Sequence, residues 1–128
     1  MIYLDSSVVL AQIFAEDRSL PKAALEDRFI SSRLLEYEVW NRIHARGFTQ
    51  SHGQEVAALF TRVQLIELLP GILSRALKPF PVAVRTLDGL HLATLEFLRR
   101  RGEEVELASY DRRFVVCAQA LGIAIYPL

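Results

Sequence analysis

The sequence predicts a three-layer α/β/α domain with a mostly parallel central sheet, and three observations indicate this class. Short apolar runs alternate with longer segments of helical spacing along the whole chain. Met1-Ile2-Tyr3-Leu4 runs directly into the polar turn Asp5-Ser6-Ser7, as a buried parallel strand does before a helix. The 128 residues are 52% hydrophobic, which is enough for one core. Because no linker or low-complexity tract interrupts them, we predict a single domain spanning residues 1–128.

Five strands and seven helices are predicted from these patterns. The strands are short apolar runs and lie at residues 1–4, 28–31, 64–69, 105–110 and 123–126. The helices have apolar residues at three- and four-residue spacing and begin at or near Val8, Pro21, Arg33, Ser51, Ile72, Thr86 and Arg112. Since strands alternate with helices, neighbouring strands are expected to run parallel, with helices on both faces of the sheet.

Particular residue types mark the helix ends. Ser51 and Gln54 have the spacing of a capping box, and Thr86 is a candidate cap for the helix that it precedes. Gly47 and Gly102 follow helical segments and are predicted to end them.

Charge and cysteine content limit the class of protein. The net charge is +0, so the strongly basic surface of a typical nucleic-acid-binding domain is missing overall. Cys117 is the only cysteine, which excludes an internal disulfide and fits a reducing compartment. No apolar run is long enough for a membrane span, and the first residues lack the basic start of a secretory signal. We therefore expect a cytoplasmic protein.

Three of the five aspartates occupy related places in the predicted fold. Asp5 and Asp111 each follow a strand directly, and Asp88 lies in the first turn of a helix. In a parallel sheet, strand carboxyl ends and the following helix amino ends share one edge, so the three side chains are expected to converge there. Each aspartate alone can also be explained as a helix cap or as a partner of the helix dipole.

Glu38 is the fourth candidate acid. It lies in the middle of a helix, beside the apolar stripe of Leu35, Val39 and Ile43. A carboxylate there is costly unless it is exposed, paired or bound to metal. The alternative is a surface pair with Arg42, one turn later. Glu36 projects from the other face and is expected to be solvated.

A cluster of acids without histidine or cysteine ligands suits Mg²⁺ or Mn²⁺, which prefer oxygen. Such sites commonly act on phosphates, and two ions about 3.5–4 Å apart can promote phosphodiester hydrolysis. His91 lies one turn after Asp88 and is expected to be neutral and to orient a neighbouring group, whereas His44 and His52 are expected at the surface.

Four motifs match a known family in order and spacing. They are Ile2-Tyr3-Leu4-Asp5-Ser6-Ser7, Ser32-Arg33-Leu34-Leu35-Glu36-Tyr37-Glu38-Val39, Arg85-Thr86-Leu87-Asp88-Gly89-Leu90-His91-Leu92-Ala93-Thr94 and Ser109-Tyr110-Asp111-Arg112-Arg113, followed by the closing segment 122–127. Over essentially its whole length, the chain resembles the PIN-domain nucleases, and among them the VapC-type toxins of toxin–antitoxin pairs. One departure is Gly89, where a helix former such as alanine is more usual; glycine weakens the helix slightly but removes no ligand.

The resemblance implies a Mg²⁺- or Mn²⁺-dependent endoribonuclease with an α/β/α fold. It implies that Asp5, Glu38, Asp88 and Asp111 form the catalytic and metal-binding quartet. Ser6 and Ser109 would be supporting hydroxyls. It further implies a homodimer that is inhibited by a cognate antitoxin, whose tail fills the acidic cleft. Apolar helix residues that include Trp40, Phe48 and Phe60 are also expected to be covered by a second chain.

Two other phosphate-handling classes fail at named residues. A receiver domain requires an aspartate after the middle strand, where Pro70 stands, and a lysine after a later strand, which neither Lys22 nor Lys78 supplies. A haloacid-dehalogenase-type phosphatase requires a second acid two residues after the first, where Ser7 stands. A catalytically silent PIN-like module that binds RNA or a partner stays open, as does the class of RNA that is cut.

Overall fold

A computed structural model describes residues 1–128 and shows one five-stranded sheet with six α-helices. The strands are β1 Ile2–Leu4, β2 Phe29–Ser32, β3 Val63–Ile66, β4 Glu106–Ala108 and β5 Ala124–Ile125. The helices are α1 Ser6–Ile13, α2 Leu34–Ala45, α3 Thr49–Phe60, α4 Pro70–Ala76, α5 Thr86–Arg100 and α6 Arg112–Ala120. The short helix predicted at Pro21 is a 3₁₀ helix, Lys22–Glu26. None of the helices is both long enough and apolar enough to cross a bilayer.

All strands are parallel and are arranged in the order β3-β2-β1-β4-β5. Ile2 of β1 lies opposite Phe29 of β2 on one side and opposite Glu106 of β4 on the other. The strand order therefore reverses between β1 and β4. In open α/β sheets, the crevice outside the carboxyl ends at such a switch point is where ligands bind.

Alternate residues of β1 point into two different cores. Ile2 and Leu4 pack in a cluster with residues of α1, α2 and α3, whereas Tyr3 packs in a second cluster with residues of α5 and α6. This period of two places one helical layer on each face of the sheet. The predicted three-layer α/β/α fold is therefore confirmed.

The glycine stops are confirmed, but two cap predictions are wrong. Gly47 and Gly102 have φ values of 73° and 83°, which a side chain would disfavour. Ser51 does not cap α3, because the helix begins two residues earlier at Thr49 and the Ser51 hydroxyl donates back to the Phe48 carbonyl. Thr86 is the first residue of α5 rather than its cap; the cap position is Arg85, whose side chain serves the cleft described below.

The large apolar side chains that were expected to contact a second chain also pack on the domain's own core. Trp40, Phe48 and Phe60 are partly buried against the first core cluster, and the coverage of their exposed parts by a second chain stays a prediction. Leu77, the residue just after α4, is far more exposed, at 89%. Cys117 is buried in the second core, as expected of a small apolar side chain.

Candidate active site

The four predicted acids line one cleft at the carboxyl ends of the strands. Asp5 follows β1, Asp111 follows the β4 segment, Asp88 lies in the first turn of α5 and Glu38 projects from α2. The cleft has a volume of about 520 Å³ and is called the acidic cleft below. It lies at the switch point because β1 and β4, which deliver two of the acids, are the strands between which the order reverses.

Asp5 is both the cap of α1 and a buried member of the acidic cleft. Its Oδ2 accepts hydrogen bonds from the hydroxyls of Ser7, at 2.6 Å, and Ser109, at 2.8 Å. The Ser7 backbone N–H lies 3.4 Å from the same oxygen. None of these bonds involves Oδ1. The cap and the site role are therefore compatible, because one carboxylate oxygen is fixed while the other has no partner within the chain.

The two serines also connect the ends of β1 and β4. The Ser7 hydroxyl accepts from the Tyr110 backbone N–H at 2.9 Å, and the Ser109 hydroxyl accepts from the Asp111 N–H at 3.0 Å. Each serine thus accepts from one loop and donates to Asp5. Ser6, the predicted supporting hydroxyl, lines the cleft but makes no hydrogen bond to Asp5.

Asp88 and Asp111 share one cation. Oδ2 of Asp111 binds Nη2 of Arg85 at 2.6 Å, and Oδ2 of Asp88 lies 3.4 Å from Nε of the same guanidinium. Oδ1 of Asp111 meanwhile caps α6 by accepting from the backbone N–H groups of Arg113 and Phe114. Burial raises the pKa of the Asp88 carboxyl above its ordinary value; Arg85 opposes this, while the negative charges of Asp111 and Asp5 add to it.

Glu38 pairs with His91 of α5 rather than with Arg42. Nε2 of His91 binds Oε1 of Glu38, and Nδ1 of His91 lies 2.7 Å from the hydroxyl of Tyr3. The contact joins the two helical layers across the edge of the sheet. Burial raises the pKa of the Tyr3 hydroxyl far above its ordinary value, so this group stays protonated and can donate.

The remaining acids stay outside the cleft. Glu36 is bound by Arg33 at 3.1 Å, and Glu67 is bound by the same arginine at 2.6 Å, all on the exposed surface. Asp27 pairs with the amino group of Met1 at 3.2 Å, at the amino-terminal ends of β1 and β2 and therefore away from the cleft. Glu36 therefore provides a matched control for Glu38 on the same helix.

The cleft has the donor chemistry for Mg²⁺ or Mn²⁺, because its four acids offer oxygen ligands only. No three acidic, histidine or cysteine side chains are placed so that they could hold one ion as they stand. The Arg85 guanidinium already lies between Asp88 and Asp111. The residues fit a divalent ion by chemistry, and an ion bound to Oδ2 of both aspartates would take the place of this guanidinium.

Sequence reasoning missed Ser7, Arg85 and Tyr3. Ser7 has a recognisable signal, because an aspartate two residues before a serine forms an Asx turn in which the serine can bond to the carboxylate. Arg85 has one local signal, its i,i+3 spacing from Asp88, whereas Tyr3 has none. The contact of Arg85 with Asp111 spans 26 residues of sequence, and that of Tyr3 with His91 spans 88.

The fold and the acidic cleft together define a class of protein: an α/β/α domain with an acid-lined crevice at the switch point of a parallel sheet. No protein-family model matches the chain. Two curated relatives are 32% identical to it over 130 residues, which cover 98% of this chain and 95% of theirs. Both are called Ribonuclease VapC35 and come from Mycobacterium tuberculosis, strains CDC 1551 / Oshkosh and ATCC 25618 / H37Rv. The chain therefore belongs to the VapC-type PIN-domain ribonucleases.

Proposed function

We propose that this protein is a Mg²⁺- or Mn²⁺-dependent endoribonuclease that hydrolyses RNA phosphodiesters. The observation that supports this most strongly is the convergence of Asp5, Glu38, Asp88 and Asp111 on one cleft from four separate elements. Asp5 and Asp111 also cap helices, but Asp88 and Glu38 do not, and burial of the charged Asp88 carboxylate opposes folding. Keeping such a cluster is the pattern expected where function sets the residues.

Each acid would have a part in holding the ion. The unpartnered Oδ1 of Asp5, and the carboxylates of Asp88, Asp111 and Glu38, are the candidate ligands. When bound, a divalent ion lowers the pKa of water and neutralises charge that develops on the phosphate. The serines fix the orientation of Asp5, and His91 fixes that of Glu38, so two of the acids are held in place before substrate arrives.

Other residues of the cleft suit an RNA strand. Arg42 and Arg85 line it and offer guanidinium groups, which bind phosphates in a bidentate manner. Tyr37 lies at the rim with 63% of its surface exposed, where an aromatic ring can stack on a base. With no net charge on the chain, these local cations would supply the attraction for the phosphate backbone.

The toxin role and its partners are part of the same proposal. A cytoplasmic ribonuclease of this family would need a cognate antitoxin, and we propose that the antitoxin places a cationic side chain among the four acids. Arg85 shows that a guanidinium fits between Asp88 and Asp111. We also propose a homodimer, in which exposed apolar residues such as Leu77 are covered.

A catalytically silent RNA- or partner-binding module is the second candidate. It is favoured by one observation, the Arg85 side chain between two acids, because a permanent internal cation would leave no place for a metal ion. Under this alternative, RNA would bind without being cut.

Incubation of the purified protein with structured and single-stranded RNA, in Mg²⁺, Mn²⁺ or EDTA, separates the two functions. We expect cleavage with either ion and none in EDTA. Asp5→Asn should abolish cleavage, and Glu36→Gln should retain it. RNA binding without cleavage under every condition would contradict the proposal and support the silent module. Cleavage in EDTA would contradict the metal dependence.

A further inference from the structure

A buried chain of hydrogen bonds leads from β2 to the acidic cleft. The backbone N–H of Ser32 donates to the hydroxyl of Tyr3 at 3.2 Å, and this hydroxyl lies 2.7 Å from Nδ1 of His91. Nε2 of His91 then binds Oε1 of Glu38. Tyr3 and His91 are both 0% exposed, so water cannot replace either partner.

The donors and acceptors along these hydrogen bonds determine where the protons lie. The Tyr3 oxygen already accepts from Ser32, and we assign its own proton to Nδ1 of His91, 2.7 Å away, because an imidazole nitrogen is a stronger acceptor than the neighbouring Ser31 hydroxyl. Nδ1 is therefore bare. The Glu38 carboxylate can only accept, so Nε2 of His91 has the hydrogen.

This arrangement is more than packing requires. Phenylalanine and an apolar side chain could fill the same core without any buried polar group, and burying a hydroxyl and an imidazole is costly unless every bond is made. In this protein no buried side-chain polar atom lacks a partner. The chain of bonds ends on a carboxylate that would otherwise rotate about three side-chain torsions, with its backbone in a different helical layer from His91.

We propose that Tyr3 and His91 are positioning residues, which hold the Glu38 carboxylate in the acidic cleft by fixing the Nε2–H tautomer of His91. Tyr3 sets the tautomer, and His91 sets the direction of Glu38. This inference rests on the proposed ribonuclease function, because the orientation of the Glu38 carboxylate affects activity only if Glu38 takes part in that function. Groups that orient metal-binding or catalytic carboxylates typically affect metal affinity or activity about 10- to 100-fold.

The tautomer can be measured on the unmodified protein. Nitrogen NMR of the imidazole rings distinguishes a protonated from a bare ring nitrogen, and the His44→Gln and His52→Gln variants assign the signals, since the chain has 3 histidines. We expect Nε2 of His91 to be protonated and Nδ1 to be bare at neutral pH. A signal for protonated Nδ1, alone or together with Nε2, would overturn the proposal. This measurement does not depend on any variant folding at the site.

The role in catalysis is tested with Tyr3→Phe, which removes one oxygen atom. We expect kcat to fall about 10-fold or more and the affinity for Mn²⁺ to weaken, with KM for RNA unchanged. The matched control is Tyr126→Phe, at a partly buried tyrosine packed on the opposite core, which should keep the kcat of the parent. A Tyr3→Phe protein that is folded and has the parent kcat and Mn²⁺ affinity would show that the hydroxyl is only structural.

The two proposals fail in different ways. If the parent neither binds Mn²⁺ nor cleaves RNA, the proposed function is wrong, and the positioning role falls with it whatever the tautomer. If the parent is active while the tautomer differs or Tyr3→Phe matches it, the positioning role alone is wrong.

Discussion

Arg85 binds Asp111 across the mouth of the acidic cleft, with Nη2 2.6 Å from Oδ2. Its Nε lies 3.4 Å from Asp88, so one positive charge lies between two of the four proposed metal ligands. A divalent ion bound to Oδ2 of both carboxylates would displace this guanidinium, because these are the oxygen atoms that Arg85 contacts. Metal and arginine are thus expected to compete.

Arg85→Gln should therefore increase the affinity for Mn²⁺. Exposed ion pairs contribute about 0.2–1 kcal/mol, which corresponds to a gain of up to about fivefold. Titration calorimetry at low salt measures the change. Arg33→Gln is the control, because Arg33 also bridges two acids, Glu36 and Glu67, but outside the cleft. Equal or weaker binding by Arg85→Gln would show that Arg85 does not compete with the ion.

Asp88→Asn should be at least as stable as the parent at neutral pH in EDTA. Burial raises the folded pKa of Asp88 above its ordinary value of 3.8, so the protonated form favours folding. That contribution is present at acid pH and is lost as the pH rises from 3.8 through the raised folded pKa. Urea unfolding across this range should show the advantage of Asp88→Asn growing with pH.

The stability effect of Asp27→Asn is expected to change with pH in the opposite direction, so this variant is the control for that series. The backbone N–H of Arg28, together with the amino terminus, lowers the folded pKa of Asp27. Its stabilisation is therefore present above the ordinary value and is lost as the pH falls through the lowered folded pKa. An Asp88→Asn protein that is clearly less stable than the parent at neutral pH would identify Asp88 as a structural acid.

Ser7→Ala should reduce activity more than Ser6→Ala does. The Ser7 hydroxyl donates to Asp5 and accepts from Tyr110, whereas Ser6 makes no bond to Asp5. Loss of a group that orients a metal ligand typically costs about 10- to 100-fold in activity. Single-turnover cleavage measured on both variants gives the comparison. Equal losses would restore Ser6 to the supporting role that the family resemblance implies.

Leu77→Asp should turn the proposed homodimer into a monomer. Leu77 is 89% exposed, so the substitution removes no packing within the domain and acts only if a second chain covers the residue. Light scattering at micromolar concentration measures the molecular mass. Val116→Asp, at a residue 57% exposed on α6, is the control and should leave the mass unchanged. A monomeric parent would contradict the dimer itself.

Much of the fold was predictable because its signals are local. The step from the strand β1 to Asp5 and helix α1, the apolar stripe of α2, and the glycine stops depend on neighbours within a few residues. The start of α3 was not predictable in this way. Phe48 packs against the core, and the helix starts two residues before the capping-box signal. Tertiary packing overrode the local preference there.

The sequence by itself determined the parallel α/β/α class, and through it the edge at which Asp5, Asp88 and Asp111 meet, because strand ends and helix starts share that edge in any such sheet. Only the tertiary structure decided the partners of the acids that are distant in sequence. The strand order placed β1 beside β4, so that Ser109 could reach Asp5, and brought α5 to α2, so that His91 rather than Arg42 binds Glu38. These contacts join residues 53 and 104 positions apart, and no local pattern specifies pairs at such separations.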